Sequence, residues 1–320
     1  MKLTQLIKNS KSILIVCHVR PDGDTLGSGL AVYTLMQALK KSVDIVADSE
    51  IPPQYCFMPN IDKVNVQENK KYDTTIVVDC ADADRMGKFA DYAKSTLSIS
   101  IDHHVTNDRF CKHNEVNPTA SSTCEVVFDI LENEKLFAVN SVLNSAQKKE
   151  IATCLCTGLS TDTGHFMHSS VNEKVMNVAS KLSKLGANIH NIANAIYRSD
   201  SKVRLQLLGQ VLSSLRFFDD DKICIMSMHL SDFEKFNASP MNTEGFINFG
   251  LSIKTTLVAV SITQHKQNEY KVSFRSKGID VSKVAGVFGG GGHVRAAGCT
   301  ICGYYEDVVD KVVKSVRDFM

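Results

Sequence analysis

The chain has 320 residues, with 36 Lys and Arg against 35 Asp and Glu, a formal net charge of +1. That balance argues against a surface that grips long duplex nucleic acid by counterion release, because such domains are strongly basic. A hydrophobic content of 43% with 22% charged residues argues against disorder and allows one large or two medium domains.

The first half alternates short β-branched runs with helical spacing. Residues 12–17 read as a strand, and 25–40 as a helix carrying Leu26, Leu30, Leu35 and Leu39. Further apolar runs at 43–47, 75–79 and 97–102 complete a pattern of βαβ units and a parallel sheet. Helical patterns follow at 122–133, 139–159, 172–185 and 188–198, and a linking helix is expected over 199–215. Beyond it the texture is mixed. Strands are expected at 222–228, 256–263, 270–275 and 298–302, and helices at 280–287 and 305–319. The expected fold is α/β with two domains, 1–198 and 216–320, the second a smaller mixed sheet.

The longest apolar stretches fall far short of the ~18–20 residues of a membrane-spanning helix. The apolar run after the N-terminal charges leads straight into His18 and two aspartates, so it reads as a core strand and not a signal peptide. Ten cysteines, mostly in apolar contexts, read as reduced thiols of a cytoplasmic protein. Cys299 and Cys302 are a lone pair in a strand-like run, and more ordinary there than a zinc or redox site.

Acids and imidazoles fall at strand ends. The first run ends in His18, Asp22 and Asp24, the third in Asp79, and the fourth in Asp102, His103 and His104. Asp162 lies at the exit of an apolar helix. In a parallel sheet, ligands bind beyond the carboxyl ends of the strands. Each position also has a plain reading: Asp22 and Asp24 as a turn and helix cap, Asp79 as a loop acid, Asp102 as solvated. Together, however, clustered carboxylates repel strongly, and a pair of divalent cations is their natural neutraliser. Two such ions make a hydrolytic site for phosphate esters, in which a shared water loses its proton and attacks phosphorus. A second constellation joins Arg275, Ser276 and Lys277 to Gly289, Gly290, Gly291, Gly292 and His293. Consecutive glycines permit close backbone approach to an anion, although a flexible turn is the commoner use of such a run.

These residues resemble the DHH phosphoesterase family, in the branch with a C-terminal DHHA1 domain. The matching pieces are His18-Val-Arg-Pro-Asp22-Gly-Asp24-Thr-Leu-Gly-Ser28, Val78-Asp79, Asp102-His103-His104, Asp162, Phe274-Arg-Ser-Lys-Gly278 and Phe288-Gly-Gly-Gly-Gly-His293-Val-Arg-Ala-Ala-Gly298. Within the family the likeness is to stand-alone oligoribonucleases that also dephosphorylate 3′-phosphoadenosine-5′-phosphate (pAp). The resemblance implies two metal ions, by family habit Mn²⁺. His18, Asp22 and Asp79 would hold one; Asp24, Asp79, His103 and Asp162 would hold the other. It implies that His104 faces the substrate phosphate, that Asp102 orients the histidines, and that Arg275, the glycine loop and His293 grip the nucleotide end across an interdomain cleft. Short RNA oligonucleotides and nucleotide phosphates are the implied partners, with no long duplex and no membrane, and a homodimer is left open. Three readings compete: a cyclic-dinucleotide phosphodiesterase, an inorganic pyrophosphatase and a nucleotide-binding regulator without turnover. A processive nuclease for long single strands is disfavoured by 7% aromatics, no Trp and a balanced charge.

Overall fold

The computed structural model describes residues 2–67 and 71–320. The chain folds as two compact units, Met1–Ser199 and Asp200–Met320. Among the described residues no helix is long and apolar enough to cross a membrane.

The first unit is built on five parallel strands, β1 (Ser12–Cys17), β2 (Ser42–Ala47), β3 (Thr74–Val78), β4 (Leu97–Asp102) and β5 (His113–Val116), in the order β2-β1-β3-β4-β5. Strands covered on both faces read as near-continuous apolar runs. Accordingly Leu14 and Val16 join one core with Val46, Val77 and Phe89, while Ile13 and Ile15 join the other with the helices. Because β1 is followed by β2 on one side and β3 on the other, the order reverses between β1 and β3. Such a switch point opens a crevice at the carboxyl ends of the strands.

Before and between the strands run α1 (Leu3–Leu6), α2 (Gly23–Ala38) and α3 (Tyr92–Ser95); after β5 come α4 (Thr123–Asn133), α5 (Ser145–Asp162), α6 (Glu173–Lys184) and α7 (Ile189–Tyr197). α2 is buried from Gly23 to Met36, so it is a central helix and not an amphipathic surface one. Small residues let α5 approach it: a Cβ on Gly27 would lie 2.5 Å from the Cys154 carbonyl oxygen, and one on Gly23 2.5 Å from Thr161. Periodicity places the start of α5 at 139, six residues early. The reason is local: Asn144 and Gln147 form a reciprocal capping box that starts the helix at Ser145.

The second unit holds a six-stranded sheet in the order β10-β11-β9-β8-β7-β6. Its elements are α8 (Lys202–Ser213), β6 (Arg216–Phe218), β7 (Ile223–Met228), α9 (Leu230–Phe236), α10 (Ile247–Ser252), β8 (Val258–Lys266), β9 (Glu269–Ser276), α11 (Val281–Gly286), β10 (Gly291–His293), β11 (Ala296–Cys302) and α12 (Tyr305–Asp318). One face packs Ile225, Val260, Val272 and Phe274 against the valines of α11 and α12. On the other, Met226, Met228 and Ala259 pack with Leu207 and Val211 of α8 and with Phe233 and Phe246. α8, read from sequence as a link, thus buries its apolar stripe in this unit. Along β9, however, Lys271 and Ser273 stay exposed and Arg275 half-buried on that second face.

Gly158 of α5 faces Asp24: an added Cβ would lie 2.7 Å from the Asp24 carboxylate and 2.3 Å from Cys124 Sγ. Gly158→Ala should therefore lower unfolding stability by about 1–3 kcal/mol despite the better helix propensity of alanine. Urea denaturation of the two proteins checks this; equal or greater stability would show that α2 and α5 can separate.

Candidate metal centre and nucleotide site

The acids and imidazoles of the first unit do meet at the β1/β3 switch point. His18 follows β1, and its Nε2 lies 3.6 Å from Asp22 and 3.4 Å from Asp79. His103, just past β4, has Nε2 at 3.8 Å from Asp79 and 3.3 Å from Asp162. Both rings are oriented by their other nitrogen: His18 Nδ1 lies 2.8 Å from the Val19 carbonyl oxygen and His103 Nδ1 3.4 Å from that of Ala120. A carbonyl can only accept, so each Nδ1 donates to it and each ring is turned with its Nε2 toward the carboxylates.

The carboxylates are equally constrained. Asp22 caps α2, accepting from the amides of Asp24 and Thr25 at 3.0 and 3.1 Å. Asp24 is fully buried and accepts from the first two amides of α4, Thr123 at 2.6 Å and Cys124 at 2.9 Å. It is thus a built-in anion at a helix N-terminus. Asp79 sits in the left-handed region (φ 60°), a conformation unfavourable to a residue with a Cβ and common at functional sites. Its amide donates to the Ile101 carbonyl, and its carboxylate accepts from the Thr123 hydroxyl at 2.8 Å.

Electrostatics record the crowding. Burial, with the charges of Asp79 and Asp22, pushes the Asp24 carboxyl well above its usual range; burial and the neighbouring aspartates do the same to Asp162. Burial acts to lower His18, but Asp22 and Asp79 outweigh it and raise the imidazole to about 10. Among the described residues, ligand atoms within 4.8 Å of one another form three groups: His18, Asp22 and Asp79; Asp24, His103 and Asp162; and Asp79, His103 and His104. The donors are mixed nitrogen and oxygen, each imidazole turns Nε2 toward the acids, and a cation in place of the proton on His18 would relieve the crowded carboxylates. These residues fit divalent cations.

Beside this cluster, His104 Nδ1 donates to Asp102 at 2.8 Å. Asp102 is fully buried and also accepts from the His103 amide and from Asn107 Nδ2 at 2.7 Å. Burial works to raise Asp102, yet these bonds, His104 first, hold it below the ordinary range; the bond to Asp102 raises His104.

In the second unit the sequence-predicted residues divide. Arg275 pairs in register with Ala296 and His293 with Ala296 from the other side, so Arg275 on β9 and His293 on β10 flank the same residue of the intervening strand β11. The Ser276 hydroxyl, by contrast, donates to the Ile279 carbonyl, and Lys277 Nζ to that of Ile253 at 2.6 Å. The glycine run also differs from an open cradle. The amides of Gly289 and Gly290 donate to carbonyls of Gly286 and Ala285, closing α11, and Gly289 has φ 72°. Gly290 lies so near β11 that a Cβ would come 2.2 Å from the Gly298 carbonyl oxygen. Gly291, Gly292 and His293 then form the exposed edge strand β10.

Thr123, Asn107 and Gly158 were not legible as site residues. The Ser122/Glu125 spacing at the start of α4 is the one available signal, marking a helix N-terminus whose amides could meet an acid.

The DHH family, N-terminal domain, matches residues 12–159, and the DHHA1 domain matches residues 220–320. The "Bifunctional oligoribonuclease and PAP phosphatase NrnA" of Thermus thermophilus is 30% identical over 312 residues, 96% of this chain and 89% of that one. The protein of the same name from Bacillus subtilis is 24% identical, covering 99% and 97%. Among solved structures, an exopolyphosphatase-related protein from Bacteroides fragilis superposes with a TM-score of 0.89 at 29% identity, covering 98% of this chain and 94% of that one. The chain belongs to the DHH family of phosphoesterases, in the branch that carries a DHHA1 domain.

Asn107→Ala would leave the buried Asp102 Oδ2 without its partner, at a cost of about 1–3 kcal/mol. A matching loss of thermal stability, with turnover slowed because Asp102, and with it His104, is held less firmly, is the expected result of calorimetry and a rate assay.

Proposed function

We propose that this chain hydrolyses RNA oligonucleotides of a few residues, including the dinucleotide pApA, to mononucleotides, and converts pAp to AMP. The observation that carries the reading is a set of His/Asp groups in which Asp79 joins His18 and Asp22 on one side and His103 on the other, with His103 also grouped with Asp24 and Asp162. His18, Asp22 and Asp79 would hold one cation and Asp24, Asp79, His103 and Asp162 a second, with Asp79 shared; Mn²⁺ suits this nitrogen and oxygen set. When bound, the ions supply an acidified water and Lewis acidity toward phosphoryl oxygens.

The chain's own residues do the rest. Asp79, held by its backbone conformation and by Thr123, would present its carboxylate to both cations from a fixed position. His104, with Nδ1 committed to Asp102, has only Nε2 left to offer a phosphate, as a donor to its oxygen or to the leaving group. Arg275, His293 and the edge glycines of β10, on a sheet face left partly open, would hold the nucleotide end; Ser276, its hydroxyl turned inward, and Lys277, its Nζ on the Ile253 carbonyl, would support their backbone. The similarity to the Thermus and Bacillus proteins, whose names join oligoribonuclease with PAP phosphatase, supports this substrate range over a cyclic dinucleotide or pyrophosphate.

Incubation of the purified protein with Mn²⁺ and, separately, pApA, pAp, a cyclic dinucleotide and pyrophosphate tests the reading. AMP release from the first two should dominate; preference for either of the others would overturn it. Asp79→Ala should cut turnover by roughly three orders of magnitude and lower the bound metal. Arg275→Ala should raise KM for pApA about tenfold with metal content unchanged, as loss of one charged contact predicts.

A further inference from the structure

The end of α5 does more than present Asp162. Gly164, His165 and Phe166 follow with φ of 55, 54 and 66°, three left-handed residues in succession. Two of them carry a Cβ, so the turn is unfavourable unless its surroundings impose it. Those surroundings are specific. His165 Nδ1 lies 3.0 Å from the Ser160 hydroxyl oxygen, and His168 Nδ1 lies 3.0 Å from the Asp162 carbonyl oxygen. From α7, Tyr197 donates its hydroxyl to the Ser160 carbonyl at 3.2 Å.

The result is a concavity of ≈ 420 Å³ within the first unit, between this turn and α7. Met167, 81% exposed, and Ala193 supply apolar walls. The rings of His165 and Tyr197 stand 5.4 Å apart, inclined at 50°. Asn194 and Arg198 add polar groups to the lining. A pocket with an apolar body, ring faces and a few polar groups is the chemistry that seats a heterocyclic base, which stacks on aromatic faces and is read at its edge. Its size suits one nucleoside. His165 is three residues from Asp162, so their Cα atoms are at most about 11 Å apart, within reach of a nucleoside whose phosphate lies at the acid cluster.

We propose that this pocket is a nucleobase subsite for the nucleotide that departs with the scissile phosphate. The inference rests on the oligonucleotide reading above and adds where the second nucleoside of pApA goes. In that hydrolysis the bond from phosphorus to the first nucleoside's 3′-oxygen breaks. The hydroxyl of water joins phosphorus, its proton ends on the 3′-oxygen, and the second nucleoside leaves as AMP. In pAp the same bond breaks but inorganic phosphate leaves, and the pocket has nothing to hold.

The pair of substrates therefore isolates the subsite. Ala193→Phe fills the pocket, and Met167→Ala removes an exposed wall without touching the core. Steady-state kinetics in Mn²⁺ should show KM for pApA raised roughly tenfold by the first and roughly threefold by the second. KM for pAp should stay within about twofold of wild type in both. An equal rise for both substrates, or no change for pApA in either variant, overturns the subsite. Failure of the wild-type protein to turn over pApA would instead sink the reading on which it stands.

Discussion

Four carboxylates gathered beyond the ends of a parallel sheet are the constraint on which the first unit is organised. Two like charges about 4 Å apart repel by about 4 kcal/mol even in a medium of effective dielectric 20. Asp22 with Asp79, and Asp24 with Asp162, bring carboxylate oxygens within 4.8 Å of each other. The protein offsets part of this with its own groups. Amides at the start of α2 serve Asp22, amides at the start of α4 serve Asp24, the Thr123 hydroxyl serves Asp79, and the His18 and His103 imidazoles face the remaining oxygens.

Helix direction explains why that offset is uneven. α2 starts at the cluster and α5 ends there, as the pairing of Gly23 with Thr161 and of Gly27 with Cys154 requires. The positive ends of α2 and α4 therefore meet Asp22 and Asp24. Asp162, on the last residue of α5, sits at the negative end of its helix, where a carboxylate is disfavoured. Its raised pKa follows burial and neighbouring charge first, and no helix dipole relieves it. A cation shared with Asp24 and His103 would. Gly158 matters for the same reason: only a residue without a Cβ lets Asp24 lie against α5 and share that space.

What could be read from sequence follows from how local each signal is. β1, β3 and β4 were legible because buried parallel strands are continuous apolar runs, and the acids and histidines stand directly at their ends. The parallel architecture and the rim followed from the same pattern. β5, His113–Val116, is a polar edge strand of four residues, and β6 has three, too short for periodicity to register. Thr123 and Asn107 act through space, on partners 44 and 5 residues away, and nothing in their own segments reports that. The glycine run shows a subtler limit. Its composition states that the backbone comes close to something, but that partner is α11 and β11 as well as any anion.

Charge counting connects the cluster to the choice of substrate. On the proposed reading, the four carboxylates carry −4 once the imidazoles have given up their Nε2 protons to metal, and two divalent cations would return the centre to zero. The centre then has no surplus positive charge with which to hold a run of phosphates. It would engage one phosphate, the one beside His104. Further phosphates must be met elsewhere, and a chain whose total charge is +1 has little in reserve. Such a protein gains more from seating a base by stacking than from adding phosphate contacts, since stacking is neutral and weakly salt-dependent whereas each phosphate contact needs its own cation. On that reading, a balanced surface around such a centre would favour oligonucleotides of a few residues over polymers.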